Sequence, residues 1–253
     1  GDSPYQSVCC NSGNPYFIDP DILHGKGLLT DEELQSISNK SCNVNYAGLY
    51  NERYKTLRKA FSRFNRTNRA FTEFKESGEF NDYALFMTLK NKLCCTIDNF
   101  PDEYKYRDGQ AIQKLRSENA DEYEFWLFLQ FEFKQQWLAL KNYVNSLGIR
   151  IIGDIPLYVA YDSSDVWANP ELFMLDERLN PVAVAGVPPD YFSKTGQLWG
   201  NPLYDWQEMS RNNFAWWVER VKKASVLYDI IRIDHFRGLD RFYAIPADSD
   251  TAQ

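Results

Sequence analysis

Two short apolar runs constrain the fold of this chain more than any other feature of its sequence. IRII at 149–152 and VLYDIIRI at 226–233 are rich in β-branched residues, the pattern of parallel strands covered on both faces. A strongly periodic helix over 121–148 precedes the first run, and a helix over 211–224 lies between the two. This order of helices and strands predicts an α/β fold with a parallel sheet and right-handed crossovers.

Both predicted strands end in carboxylates, Asp154 and Asp234, and reactive groups gather at the carboxyl ends of parallel strands. Arg232 and Asp234 are two residues apart, so they share one face of a strand. Positive charge from Arg232 and His235 would keep Asp234 ionised and make it a plausible nucleophile. Structural alternatives are an Arg–Asp ion pair between strands, a turn cap at Asp154 and a hydrogen-bonded histidine at 235.

The connection over about 155–206 has little periodicity but many Pro, Gly, Trp and Tyr residues. A loop of this length inside a compact domain is usually functional. Pro188 and Pro189 hold its backbone extended, and rigid rings beside amides and carboxylates suit a polyhydroxylated ligand. The side chains that this loop presents include Asp190, Tyr191, Phe192, Gln197 and Trp199.

The region before the strands is predicted to be mainly helical. Thr30 and Glu33 form a capping-box pattern that predicts a short helix from about residue 31. Apolar residues at three- and four-residue spacing over 46–93 predict amphipathic packing helices, and the segment 96–110 is predicted to be a loop.

Composition excludes several classes of function. A net charge of −7, from 28 basic and 35 acidic residues, provides no basic stripe for nucleic acid. The five cysteines, Cys9, Cys10, Cys42, Cys94 and Cys95, suit neither a disulfide framework nor zinc-ligand spacing. No leader or membrane span is visible, so we expect a soluble cytoplasmic protein without a membrane partner.

Four stretches carry a resemblance to a known family: GDSPYQS (1–7), GIRIIGDIPLYVAYDSSDVWANPELF (148–173), AGVPPDYFSKTGQLWGNPLYDW (185–206) and IIRIDHFRG (230–238). The chain resembles the amylomaltases, which are 4-alpha-glucanotransferases or disproportionating enzymes of glycoside hydrolase family 77. The last three motifs are long and stand in the family's order, whereas residues 40–125 are the least diagnostic. Asn45 departs from the family, in which aspartate is expected.

The resemblance implies a (β/α)8 TIM-barrel type fold that acts on α-1,4-glucans by a retaining double displacement. Asp234 would be the nucleophile, Arg232 would hold it ionised, and His235 would bond a sugar hydroxyl. No metal or organic cofactor is implied, and the expected partners are malto-oligosaccharides and glucan derived from starch or glycogen. Further positions that match the family's substrate-binding residues are Tyr5, Asp154, Asp190, Tyr191, Phe192, Gln197, Trp199 and Asn201.

Retaining chemistry also needs a second carboxyl group as acid and base, which the family carries on the strand after the nucleophile. The resemblance therefore implies that residues 1–253 are a single partial barrel, without its N-terminal strands and C-terminal half and inactive alone. Its helical insertion is expected at about 30–120 and its active-site loop at about 155–206. Two alternatives stay open: a non-catalytic glucan-binding protein and an alpha-glucan hydrolase.

Overall fold

The computed structural model describes residues 3–37 and 44–252, so Cys42 lies outside the described residues. Helices and strands follow one another in a mixed α/β order. The helices are α1 Pro20–Gly25, α2 Asp31–Ser36, α3 Tyr46–Arg63, α4 Arg69–Glu76, α5 Asn81–Leu93, α6 Asp102–Lys105, α7 Gly109–Glu118, α8 Ala120–Ser146, α9 Ser164–Ala168, α10 Trp206–Arg211 and α11 Ala215–Leu227. The strands are β1 Ile152–Ile155, β2 Ala183–Val187, β3 Gln197–Pro202, β4 Ile230–Ile233 and β5 Tyr243–Pro246.

Strands β1 and β4 pair in parallel, with Asp154 opposite Arg232 in the register. The predicted parallel pair is therefore confirmed, but its predicted bounds are wrong. Residues 149–151 form a connection, because the Asp229 carboxylate accepts hydrogen bonds from the Ile151 amide and the Asn145 side chain, both at 2.8 Å. Residues 226–227 are the end of α11 rather than the start of a strand.

Only one face of the β1–β4 pair is covered, although both were predicted to be. Ile155 is 6% exposed, whereas Ile152 is 64% and Ile230 is 38% exposed. Because side chains alternate along a strand, Ile152 and Ile230 share the open face with Asp154 and Arg232. The charged side chains of Asp154 and Arg232 and the two exposed isoleucines therefore lie on the same side of the strands.

The segment 155–206 is not a structureless loop, contrary to the prediction. It contains α9, β2 and β3, and β2 pairs antiparallel with both β3 and β5 to give the order β3-β2-β5. Gly186 permits this close pairing, because a Cβ there would lie 2.2 Å from the Gln197 carbonyl oxygen. Gly196 supplies the positive φ of +70° that the hairpin turn requires.

The helical region agrees with prediction at α2, α3, α4, α5 and α8. Thr30 and Glu33 form the expected capping box. The prediction of a loop over 96–110 is wrong, since α6 lies inside it and α7 starts at its end. Asp108 and Gly109 resemble a turn in sequence, but Asp108 caps α7 by accepting from the amides of Gln110 and Ala111.

Apolar residues of the helical region form one continuous core around α8. Phe61, Phe71 and Phe128 are at most 6% exposed and pack with Trp167 of α9 in the same cluster. None of the helices in the described ranges is long and apolar enough to cross a membrane. The helical layer therefore packs against α9, in the segment that follows β1.

Candidate active site

Arg232 lies between two carboxylates at the carboxyl end of the parallel pair. Its Nη1 donates to Asp154 Oδ2 at 2.5 Å, and its Nη2 donates to Asp234 Oδ1 at 2.6 Å. The strand register makes this possible, because Asp154 is opposite Arg232 and Asp234 follows β4 directly. The guanidinium therefore fixes both carboxylates relative to one another.

The three charged side chains are accessible rather than buried. The side chains of Asp154, Arg232 and Asp234 are 45%, 57% and 35% exposed. Attraction by Asp154, then by Asp234, raises the pKa of Arg232 above its ordinary value. The alternative of an ion pair between strands is thus also met, since Arg232 binds Asp154 across β1 and β4, but in this chain the pair is exposed rather than buried and both carboxylates are accessible.

The rings of His235, Trp199 and Tyr158 pack together next to Asp234 in the structure. His235 adopts the left-handed conformation, with φ +52° and ψ +42°, which is uncommon for a residue with a side chain. Its ring meets Trp199 edge-on at a centroid distance of 5.0 Å. The ring of Tyr158 lies 6.3 Å from both of these rings. The residue that follows the predicted nucleophile is therefore held among rings.

Tyr5 and Gln197 reach the same place from other segments. The Trp199 indole donates to Gln197 Oε1 at 3.0 Å, and the Gln6 amide makes a long 3.5 Å contact with the Trp199 carbonyl oxygen. Tyr5 lies close enough to Arg232 to contribute to its raised pKa. The structure thus brings together six predicted residues around Trp199 and Arg232: Tyr5, Asp154, Gln197, Trp199, Arg232 and Asp234, with His235 beside them.

A large open cavity adjoins this cluster. Its volume is about 1410 Å³, and Tyr5, Asp154 and Tyr158 line one part of it. Tyr46 and Tyr50 of α3 line another part. Asn45, where the resemblance led us to expect aspartate, also lines the cavity and caps α3 by accepting from the Gly48 amide at 3.0 Å. An aspartate could perform the same capping function.

Four predicted site residues are not drawn into the cluster. The Asp190 carboxylate accepts from the amides of Phe192 and Ser193, so it shapes its own turn. Tyr191 and Phe192 are 97% and 90% exposed at the tip of the β2–β3 hairpin. Asn201 is 6% exposed, and its amide donates to the Val159 carbonyl oxygen at 2.8 Å.

Sequence reasoning missed two residues near the site, Tyr158 and Arg220. Tyr158 is inconspicuous in an apolar run, although its position just after β1 and Pro156 could have indicated it. Arg220 resembles any polar residue of a helix, yet it is 2% exposed. Within residues 3–37 and 44–252, no three His, Cys, Asp or Glu side chains form a group that could hold a metal ion.

The fold and the site define a class: a mixed α/β protein with an acidic, ring-walled cleft at the end of a parallel strand pair. The model of the 4-alpha-glucanotransferase family matches residues 1–253. The chain belongs to this family.

Relatives of known name agree with this assignment. The 4-alpha-glucanotransferase of Clostridium butyricum is 47% identical, with 100% of this chain and 53% of that protein covered. The protein of the same name from Thermus thermophilus is 44% identical, with 100% and 51% covered. The solved structure of amylomaltase from Streptococcus agalactiae in complex with acarbose gives a TM-score of 0.93 at 38% identity, covering 99% of this chain and 52% of that one. The chain spans about half the length of these relatives.

Proposed function

We propose that this chain is part of a 4-alpha-glucanotransferase that moves α-1,4-glucan segments between malto-oligosaccharides. One observation carries the proposal: Asp234 stands at the end of a parallel strand and shares Arg232 with Asp154, which lines a ring-lined cavity. The cavity of about 1410 Å³ exceeds the roughly 300–1,000 Å³ of ordinary ligand pockets. It therefore has room for an oligosaccharide rather than a single sugar.

Asp234 is the proposed nucleophile of a retaining double displacement. Its second oxygen, Oδ2, attacks the anomeric carbon while the glycosidic C–O bond breaks, and a general acid gives a proton to the departing oxygen. The 4-hydroxyl of an acceptor glucan then displaces Asp234 and returns its proton to the same group. Arg232 holds Asp234 in place and compensates its charge, and His235 bonds a hydroxyl of the donor sugar.

The general acid is not assigned to this chain. Asp154 and Asp234 both bind Arg232, so we assign Asp154 to sugar hydroxyls rather than to proton transfer. The family resemblance implies an acid/base glutamate on the next strand of the barrel; β5 is not that strand, because it pairs with β2 in the antiparallel sheet and carries no glutamate. We therefore expect no turnover from residues 1–253 alone. The resemblance implies no cofactor, so we also expect the full-length protein to need none.

The remaining predicted residues are assigned to the glucan and to the loop above it. Tyr5, Gln197 and Trp199 stand at the site and are proposed to contact sugar. The hairpin tip is proposed to fold over a bound chain and to favour a sugar acceptor over water; it carries Asp190, Tyr191 and Phe192, with Asn201 at its base. The exposed rings of Tyr191 and Phe192 support this role.

For the fold, we propose that residues 1–253 form a single part of a (β/α)8 barrel, with β1 and β4 as neighbouring strands. The open face of this pair supports the proposal, because branched residues such as Ile152 and Ile230 fill the interior of such barrels. In this arrangement the helices of about 30–120 are an insertion and 155–206 is the active-site segment.

The test uses the full-length protein that contains this chain, with maltotriose as substrate. Transfer gives longer oligosaccharides together with glucose, hydrolysis gives only shorter sugars, and a binding protein leaves maltotriose unchanged. Asp234→Asn should lower transfer by roughly 10⁶-fold, the scale on which loss of a nucleophile acts, while acarbose binding is retained. Acarbose is the probe because the related amylomaltase structure contains it.

The matched control is Asp240→Asn. Asp240 lies six residues later and its side chain is 85% exposed, so this variant should transfer like the wild type. Full activity of Asp234→Asn would refute the assignment of the nucleophile. Production of only shorter sugars by the wild type would replace the transferase proposal with a hydrolase.

A further inference from the structure

The turn that follows β1 is held by three hydrogen bonds from two side chains, Arg220 and Tyr204. The carbonyl oxygens of Pro156 and Leu157 accept from Arg220 Nη2 and Nη1 at 2.6 Å and 3.0 Å. The Tyr204 hydroxyl donates to the same Leu157 oxygen at 2.8 Å. Because Arg220 is 2% exposed, a buried cation donates its hydrogen bonds to the main chain of this turn. Such bonds are stronger than neutral ones.

Tyr158 is the residue that this turn presents to the site. It is 7% exposed, and its ring stacks on Tyr204 at a centroid distance of 6.0 Å and 21° between planes. The same ring contacts Trp199 and His235, which contact each other. Three rings from three separate segments therefore form a closed triangle, with Tyr158 at its buried corner.

His235 needs such support because its backbone is strained. A left-handed residue other than glycine persists only where its surroundings hold it, and Asp234 precedes it directly. Gly238 shows how closely the two segments pack: a Cβ there would lie 2.2 Å from Leu157 Cδ2 and 2.9 Å from His235 Cδ2. The position of His235 thus depends on the turn that carries Tyr158.

We propose that Tyr158 is a positioning residue for the site. Arg220 and Tyr204 fix its backbone, and its ring aligns His235 and Trp199 beside Asp234. The effect on glucan transfer rests on the proposed function, whereas the alignment of the rings does not. The two parts are therefore tested separately.

The first test follows His235 directly by NMR of the full-length protein labelled with ¹³C-histidine, with His235→Asn used to identify its signal. Tyr204→Phe removes the hydroxyl that donates to Leu157 but keeps the ring. Tyr161→Phe is the matched control, because its hydroxyl also donates to a main-chain oxygen, that of Leu179, at 2.8 Å. Tyr204→Phe should shift or broaden the His235 signal, and Tyr161→Phe should leave it unchanged. An unchanged signal in Tyr204→Phe, or equal shifts in both variants, would overturn the alignment.

The second test measures transfer from maltotriose. Tyr158→Leu should lower kcat/KM by about 10- to 100-fold, the scale of a small misplacement at a site, and Tyr158→Phe should stay within about threefold because the ring remains. Tyr161→Leu should lower the melting temperature about as much as Tyr158→Leu does, but without this loss of transfer. If Tyr158→Phe loses as much as Tyr158→Leu, or if Tyr161→Leu loses equally, Tyr158 does not act by positioning. A wild type without transfer rejects the proposed function, and the NMR result still decides the alignment.

Discussion

At the scale of single residues, Arg232 organises the candidate site. A planar guanidinium presents several donors in a fixed fork, and here two of them bind carboxylates on neighbouring strands. Sequence spacing predicted that Arg232 and Asp234 share a face. It could not show that Asp154 joins them, because that contact depends on the register between strands that lie 78 residues apart. The sequence predicted a contact between Arg232 and Asp234, and the structure adds Asp154 as a second carboxylate bound to the same guanidinium.

Arg232→Lys in the full-length protein should reduce transfer although it keeps the positive charge. A single ammonium group cannot reproduce two fork-like contacts, so Asp234 loses its orientation. We expect kcat for maltotriose to fall about 100-fold, the scale of a lost preorganised electrostatic contact. Arg237→Lys, at an exposed arginine of the next turn, should have no effect. Equal kcat in Arg232→Lys and the wild type would show that charge alone is sufficient.

At the scale of elements, local sequence signals predicted most of the helices correctly but missed helix α7 and the antiparallel sheet. The capping box of α2 and the periodicity of α3, α4, α5 and α8 are short-range features, and they gave the right elements. Helix α7 was missed because an Asp-Gly pair is typical of both a turn and a helix cap. The antiparallel sheet was missed because β2 pairs with β5, which follows it only after the whole β4 segment.

The contact between α2 and α3 predicts a pH dependence of stability. Arg63 donates to both oxygens of Glu33 at 2.6 Å and 3.0 Å, and this contact, together with the Thr30 amide, lowers the pKa of Glu33 from 4.5 to about 2. Because the folded-state pKa is lowered, the stabilisation is complete above the unfolded-state pKa and is lost as pH falls towards the folded value.

Glu33→Gln should therefore lower the melting temperature of the full-length protein at pH 7, and this difference from the wild type should shrink as pH falls from 4.5 towards 2. Melting curves between pH 7 and pH 3 measure it. Glu76→Gln, at the exposed end of α4, should give a small difference that is constant over this range. A difference for Glu33→Gln that is the same at pH 7 and pH 3 would contradict the stabilising role of the contact.

At the scale of the whole molecule, the open face of the β1–β4 pair is the main feature. Strands β1 and β4 bury one side against the chain's own core, while Ile152 and Ile230 stand exposed on the other. An exposed apolar face beside a polar site is what a barrel interior looks like when only some of its strands are considered. The chain spans about half the length of its relatives, which agrees with this interpretation.

Ile152→Asn tests the proposed barrel. If Ile152 is buried in the full-length protein, Ile152→Asn should lower the free energy of unfolding by about 3 kcal/mol, because apolar burial is lost and an amide enters the interior. Val182→Asn is the control, since Val182 is 55% exposed beside the antiparallel sheet, and it should change little. Urea unfolding measures both variants. An unfolding free energy of Ile152→Asn equal to that of the wild type would show that this face is not an interior.

The sequence by itself determined the α/β class, the long helix α8, the capped start of α2 and the family, because these depend on short-range periodicity, capping chemistry and contiguous motifs. It also identified Asp234, Arg232, His235 and Trp199 as candidates. Only the tertiary structure decided that Asp154 shares Arg232 with Asp234, that Asn201 is used to hold the main chain, and that Tyr158 completes a set of rings. Those outcomes depend on strand register and on contacts between segments that lie far apart in the chain, which no local pattern specifies.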